Sequence, residues 1–198
     1  LAVVGAQGPA GERQTAAQGV TTIGIDADPT QTPANTATSL GSIESCVAKS
    51  VNDAFDVDLY ITDVVDLLAW EVYLNYNPAV LRVTAINVQM FQAANPSSSV
   101  FNASELTPDS DGSFYAAAAE LGSVDSGTGV LARISLLAVG PGISGLNLTQ
   151  PILKDVNNLP IGDTNGDLIF DGPIANAEVW VGQACGATPT PSPTPTPT

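Results

Sequence analysis

The chain has no histidine, a single methionine, two cysteines and only 5 basic side chains in 198 residues. Without histidine the commonest general base and metal ligand is missing, and every histidine-dependent triad is excluded. The 5 basic residues face 20 acidic ones, a formal net charge of -15. A surface of that sign repels phosphate backbones and anionic headgroups, which speaks against nucleic-acid and membrane-surface partners. Apolar stretches are broken by Asp, Asn or Gly within about ten residues, short of the ~20 that span a bilayer, so membrane insertion is not expected. What remains is 44% apolar against 13% charged residues, enough to build a core and unlike a disordered chain. The length suits one large β domain with appendages.

Cys46 and Cys185 stand nearly the whole chain apart, far from any CxxC redox or zinc spacing. They form either one disulfide in an exported protein or two buried thiols in a cytosolic one, and the acidic, Thr-rich composition favours the disulfide. The chain-entropy account gives a bridge over so long a loop roughly 4–5 kcal/mol, less any native strain. The chain opens Leu1-Ala2-Val3-Val4. The expectation is an extracellular or cell-surface protein, exported after removal of a leader not present here, or a sequence that begins inside a longer precursor.

The two ends differ from the middle. Residues 1–20 are small and polar and hold three Gly-X-Y triplets from Gly5 to Arg13, too few for a collagen helix and read as an extended arm. The tail alternates Thr or Ser with Pro from Thr188 to Thr198, which holds a stiff polyproline II conformation. Residues 186–198 therefore read as a linker or an O-glycosylated stalk, with Thr188, Thr190, Thr194, Thr196 and Thr198 as candidate acceptors. Asn102 and Asn147 begin formal N-glycosylation triplets.

Between the ends, over 21–185, the apolar period is two. Strands are expected at 21–26, 55–62, 67–76, 81–88, 113–120, 129–139, 145–148 and 177–182. Trp70, Val72, Leu74 and Tyr76 alternate with Glu71, Tyr73 and Asn75; Phe55, Val57, Leu59 and Ile61 alternate with Asp56, Asp58, Tyr60 and Thr62. Each strand thus has one buried and one wet face, the second set of each being the wet one. Asn77-Pro78, Asn95-Pro96, Asp111-Gly112 and Asn165-Gly166 punctuate the runs. No long window keeps a helical period, so the class is all-β, a single antiparallel sandwich.

Two separated motifs carry a resemblance. The run VDLYITDVVDLLAWEVYLNYNPAVLRV at 57–83 resembles the opening hairpin of a cohesin-like module, and GTGVLARISLLAVGPGISGLNL at 127–148 resembles the long inner strand and closing turn of that family. The stretch 23–46 is similar to extensions on exported bacterial cohesin-like proteins. Asn77-Pro78 ends one strand and lets Leu81 and Val83 return to the buried face. Gly127 and Gly129 permit close approach or positive φ at the start of the inner strand. The resemblance implies a jelly-roll-like sandwich of about nine strands and a non-catalytic binding or scaffolding role, dockerin modules being the best-known partners. No dockerin-contact motif maps onto this sequence residue by residue.

The sharpest chemical motif is the run 163–171, with oxygen ligands at Asp163, Asn165, Asp167 and Asp171 and the carbonyl of Ile169 at calcium-loop spacing. Leu168 stands where such a loop has glycine and Ile174 where it has a bidentate acid, so a plain Asx turn competes with a weak calcium site. Asp109/Asp111 and Asp26/Asp28 are lesser acidic turns. Asp56, Asp58 and Glu71 are the only acids worth weighing for glycoside hydrolysis, and all three are expected on wet faces with no cleft between them. An enzyme is not expected. Trp70 and Trp180 read either as a sugar-stacking platform or as core. The leading expectation is a self-assembling subunit of a surface filament, sheath or layer, joined through its terminal arms and so a homo-oligomer. The alternatives are a recognition module for a dockerin-type partner, or a carbohydrate-binding adhesion module.

Overall fold

The computed structural model describes residues 19–186. Ten strands follow in chain order: β1 (Thr22–Asp26), β2 (Cys46–Lys49), β3 (Ala54–Asn75), β4 (Leu81–Asn87), β5 (Ser99–Asn102), β6 (Ser113–Leu121), β7 (Asp125–Ala138), β8 (Gly142–Asp155), β9 (Ile174–Ala175) and β10 (Ala177–Val181). The terminal arm and the Thr/Pro tail, with Thr188, Thr190, Thr194, Thr196 and Thr198, lie outside the described residues.

One strand organises the rest. The hairpin expected between 55–62 and 67–76 is a single strand, β3, of 22 residues. Its first half pairs with β1 and β7, its second with β6 and β8, and every one of these pairings is antiparallel. Between the halves the register slips at Ile61/Val64 and Val64/Leu67, and Asp63 and Asp66 take φ of 51° and 54°. The physical reason is local. The 62–67 stretch has no Gly, Pro or Asn to reverse the chain, whereas Asp tolerates the left-handed region well enough to make bulges. The amides the bulges free are caught by β7, Asp63 N–H by Thr128 Oγ1 at 3.1 Å and Asp66 N–H by Ser126 Oγ at 2.8 Å.

Two sheets result. Sheet one runs β9–β1–β3–β7–β4, and sheet two runs β5–β6–β3–β8–β10–β2. Two pairings are parallel, β1 with β9 and β2 with β10, so the sandwich is antiparallel except next to two of its edges. The core lies between the sheets. Ile23, Ile25, Val57, Leu59, Ile61, Ile134 and Leu136 meet Trp70, Val72, Leu74, Phe114, Leu146 and Val179, all buried. Leu81 and Val83 return to the core after the Asn77-Pro78 turn, where Val80 N–H donates to Asn77 O at 2.9 Å. A short 3-10 turn, Gln92–Ala94, closes one end. Its buried Gln92 accepts from Trp70 Nε1 at 3.0 Å and donates to Leu68 O at 2.8 Å, so the indole N–H in the core is satisfied.

Cys46 and Cys185 are bonded to each other, 139 residues apart, with Cα atoms 6.1 Å from one another. The bridge joins the start of β2 to the chain just beyond β10, which are already parallel neighbours. It thus fastens the last strand of the sandwich to the edge of sheet two.

Asp58 departs from expectation. It is not on a wet face but fully buried, and Tyr60 beside it is 6% exposed. The connection between β1 and β2 folds across the outer face of sheet one over Asp58, while the Tyr60 ring packs over Gly24 of β1. Asn35 in that connection donates from Nδ2 to Asp26 Oδ2 at 2.7 Å and to Asp58 Oδ2 at 3.2 Å. Arg133 on β7 holds Asp58 through two bonds, 2.8 and 2.9 Å, the single ion pair among the described residues. Glycine is needed at 129 because a Cβ there would stand 2.0 Å from Ala37 O of the covering segment. Removing the guanidinium strands a buried carboxylate. Arg133→Met is therefore expected to lower unfolding free energy by about 3–5 kcal/mol, measured by urea titration, whereas a change under 1 kcal/mol would mean that water reaches Asp58.

Candidate functional site

The outer face of sheet one is covered; that of sheet two is open. Its cross-strand rows follow from the register: Phe101, Ala119, Ala69 and Lys154 in one row, Ala117, Glu71 and Ile152 in the next, then Tyr115, Tyr73 and Thr149. The inward residues of this part of β3 are Trp70, Val72 and Leu74, and β6 turns Tyr115, Ala117 and Ala119 outward, so the outward positions of the pair hold alanine, tyrosine and charge. Small side chains across neighbouring strands leave a groove of about 310 Å³, lined by Ala69, Glu71, Ala117, Ala119, Lys154 and Leu168. Leu168 reaches it from the β8–β9 connection.

Two tyrosines stand beside the groove, the Tyr73 and Tyr115 rings 5.2 Å apart and tilted 52°. Tyr115 Oη donates to Glu71 Oε2 at 2.7 Å. Burial first, and then this bond to Glu71, push the Tyr115 phenol up to about 12, so it remains a donor across the ordinary pH range. Asn75 Nδ2 donates to Thr149 Oγ1 at 2.7 Å, tying β3 to β8 on the same face. Phe101, Leu106 and Leu168 are exposed at 62%, 91% and 51%. Leu168 is on the groove wall and Phe101 is in the row of Ala119 and Ala69.

The sequence-derived candidates fall elsewhere. Asp163, Asn165, Asp167, Ile169 and Asp171 lie together in the exposed β8–β9 connection. Their acids are occupied from within the loop. Asp163 accepts from the amides of Asn165, Gly166 and Leu168 at 3.1, 2.6 and 3.0 Å. Asp171 accepts from the Thr164 amide and hydroxyl at 2.8 and 2.7 Å and from Asn165 Nδ2 at 3.1 Å. These donors, the Gly166 amide first at Asp163 and the Thr164 hydroxyl first at Asp171, hold both carboxyls below their ordinary range. Among the described residues no three Asp, Glu or Cys side chains converge as a metal cage. Asp109 accepts from the Tyr76 hydroxyl and Asp111 from the Ser113 amide at 2.9 Å, fixing a turn. Asp26 accepts from the amides of Asp28 and Glu44 at 3.1 and 3.0 Å.

Of the three acids weighed for hydrolysis, Asp56 accepts from Ser135 Oγ at 2.7 Å, Asp58 is tied to Arg133, and Glu71 holds Tyr115. Asn102 and Asn147 are exposed on β5 and β8. Trp70 is core, 2% exposed, and so forms no platform with Trp180, whose Nε1 donates to Glu178 at 2.8 Å. Sequence reasoning missed Ala69, Ala117, Ala119, Tyr73 and Tyr115 as a surface. The signal was present in AAAAE at 116–120: a strand that spends its outward positions on alanine leaves room for a partner.

No protein-family model matches the chain and no curated protein matches it. Solved structures do. A non-cellulosomal cohesin from the archaeon Archaeoglobus fulgidus is 14% identical over 82% of this chain and 91% of its own, with a TM-score of 0.54. The cohesin module of a family 33 glycoside hydrolase from Clostridium perfringens is 15% identical over 82% and 96%, TM-score 0.54. A type I cohesin–dockerin complex from Clostridium thermocellum matches at 14% identity over 82% and 99%, TM-score 0.55. The fold is cohesin-like. What the cohesin-like fold contributes here is one covered sheet and one open one.

A second acidic cluster sits at the β6–β7 turn, where the Asp125 carboxyl is pushed up to about 6, by burial first and then by the facing Glu120. An acid raised above its unfolded value of about 3.9 contributes stability that is intact below that value and lost as pH rises through its folded pKa. In chelator, the melting temperature is therefore expected to fall as pH rises from about 4 to about 6. Glu120→Gln should flatten that fall; an unchanged slope in the variant would show that the whole acidic surface, not this pair, is responsible.

Proposed function

We propose that the chain is a non-catalytic extracellular protein-recognition module that binds its partner through the open face of sheet two. The observation that carries this reading is the alanine-lined groove beside Tyr73 and Tyr115, with exposed Leu168 on its wall and exposed Phe101 in the adjoining row. Tyrosine at the centre of such a face supplies large contact area at small entropic cost. Several structural neighbours are cohesins recorded in complex with dockerins, which supports a dockerin-bearing protein as the partner class. The disulfide and the acidic surface support an extracellular location.

Self-assembly into a filament, the leading expectation from sequence, becomes the second reading. Its ground was the two terminal arms, which lie outside the described residues. One observation still favours it: β5 is a short edge strand that pairs with β6 alone, open to strand addition by a second copy. Regular fibres of the intact chain in negative-stain electron microscopy would promote it over the first.

A weak calcium ion at Asp163, Asn165, Asp167, the Ile169 carbonyl and Asp171 is also proposed. Leu168 supports it by holding φ of 73° at the position where a calcium loop has glycine; the missing twelfth ligand limits affinity to about 10⁻⁴–10⁻³ M. Calorimetry of Glu120→Gln should find that weak heat of binding and lose it when Asp163→Asn is added; a silent titration of Glu120→Gln at millimolar calcium would remove this ion and leave a turn.

The docking face is tested by Tyr73→Ala. The ring is on the outer face, so folding should be unchanged by circular dichroism, while affinity for a captured dockerin-bearing partner should fall by about 2 kcal/mol, roughly thirtyfold. Equal affinity for the variant would move the interface off this face.

A further inference from the structure

Strand β6 alternates inward through Phe114, Ala116 and Ala118, and the next inward position is Glu120. It is 1% exposed, and its Oε2 has no hydrogen-bond partner. Its other oxygen accepts from the Ser123 hydroxyl in the turn that follows. Asp125 opens β7 on the far side of that turn, and its Oδ2 is likewise buried without a partner. Asn95, in the segment after the short 3-10 turn, donates from Nδ2 to Ser123 Oγ at 3.2 Å and to Asp125 Oδ1 at 3.4 Å. Neighbouring acids are engaged elsewhere, Asp66 with Ser126 and Asp155 with the amides of Asn157 and Leu159. No lysine or arginine among the described residues pairs with either carboxylate.

Two facing carboxylates, Glu120 buried and Asp125 partly so, each with one buried oxygen that has no partner, repel when both are ionised and call for a proton or a cation between them. We propose that Glu120 and Asp125, with the Ser123 hydroxyl, form a site for a hard divalent cation, calcium, at the β6–β7 turn. The donors are all oxygen, from two carboxylates and a hydroxyl, which selects calcium over zinc or copper. Water fills the remaining positions. The net charge of -15 raises the local cation concentration around the module. Bound there, the ion fastens the end of β6 to the start of β7, the two strands that flank β3 on sheets two and one. The site is separate from the docking face and from the 163–171 loop.

The test uses the full chain, stripped with chelator and titrated with calcium chloride by calorimetry near neutral pH, as wild type, Glu120→Gln, Asp125→Asn and Asp163→Asn. Binding should persist in Asp163→Asn and weaken about tenfold or more in each of the other two, since affinity follows the ligand charge count. Melting temperatures give a second readout that needs no binding signal. In chelator, Glu120→Gln should melt above wild type, because it removes an uncompensated buried charge; in millimolar calcium the order should reverse. Heat that is lost only in Asp163→Asn would assign the ion to the exposed loop and overturn the proposal. So would Glu120→Gln melting above wild type with and without calcium, which would mean that a shared proton alone holds the pair.

Discussion

A single strand that must belong to two sheets is the constraint on which this molecule depends. A strand pairs in one plane, so β3 can serve both sheets only if it bends, and bending frees backbone amides. Asp63 and Asp66 supply the bend by taking positive φ, and the hydroxyls of Ser126 and Thr128 receive the freed amides. Those hydroxyls lie on β7, which is itself paired along the same stretch of β3. The joint is therefore closed by two strands at once, and the inter-sheet spacing that defines the core follows from it.

With the core fixed, what distinguishes the two sheets is the chemistry of their outward positions. Sheet one presents Asp58 and Tyr60, which water alone does not cover here: the β1–β2 connection lies over Asp58, and its Asn35 and the Arg133 guanidinium satisfy the buried acid. Tyr60 packs over Gly24, where a Cβ would come within 2.5 Å of the ring. Sheet two presents alanines that ask for no such cover and tyrosines that retain polar tips. The face left open is thus the one whose residues tolerate both water and a partner, which is the property a reversible docking surface requires.

The period-two pattern made the strands of the core legible, because Trp70, Val72 and Leu74 or Val57, Leu59 and Ile61 can be buried together only on a pleated face. The cysteine pairing was legible from count and composition. Four things were not. The pattern splits β3 in two because a bulge looks like a turn where only loss of alternation registers. The period puts Asp58 on a wet face because it says which face a side chain is on, not whether a distant loop covers that face. The strands β2, β5 and β9, each of 4 residues or fewer, are too short to show a period. The docking face escaped for a related reason: alanine carries little hydrophobic signal, yet its smallness is what shapes the groove.

The acids of this chain make the same point about context. By composition the 163–171 run is the richer cluster, and by spacing the more suggestive. Yet Asp163 and Asp171 point at donors of their own loop, and all four of their oxygens are already engaged. Glu120 has no motif around it at all. It is a lone acid continuing an apolar alternation, and the fold carries it inward opposite Asp125 with nothing to neutralise the pair. A carboxylate's demand for a positive partner is set by what the backbone denies it, so the less conspicuous cluster has the stronger claim on a cation.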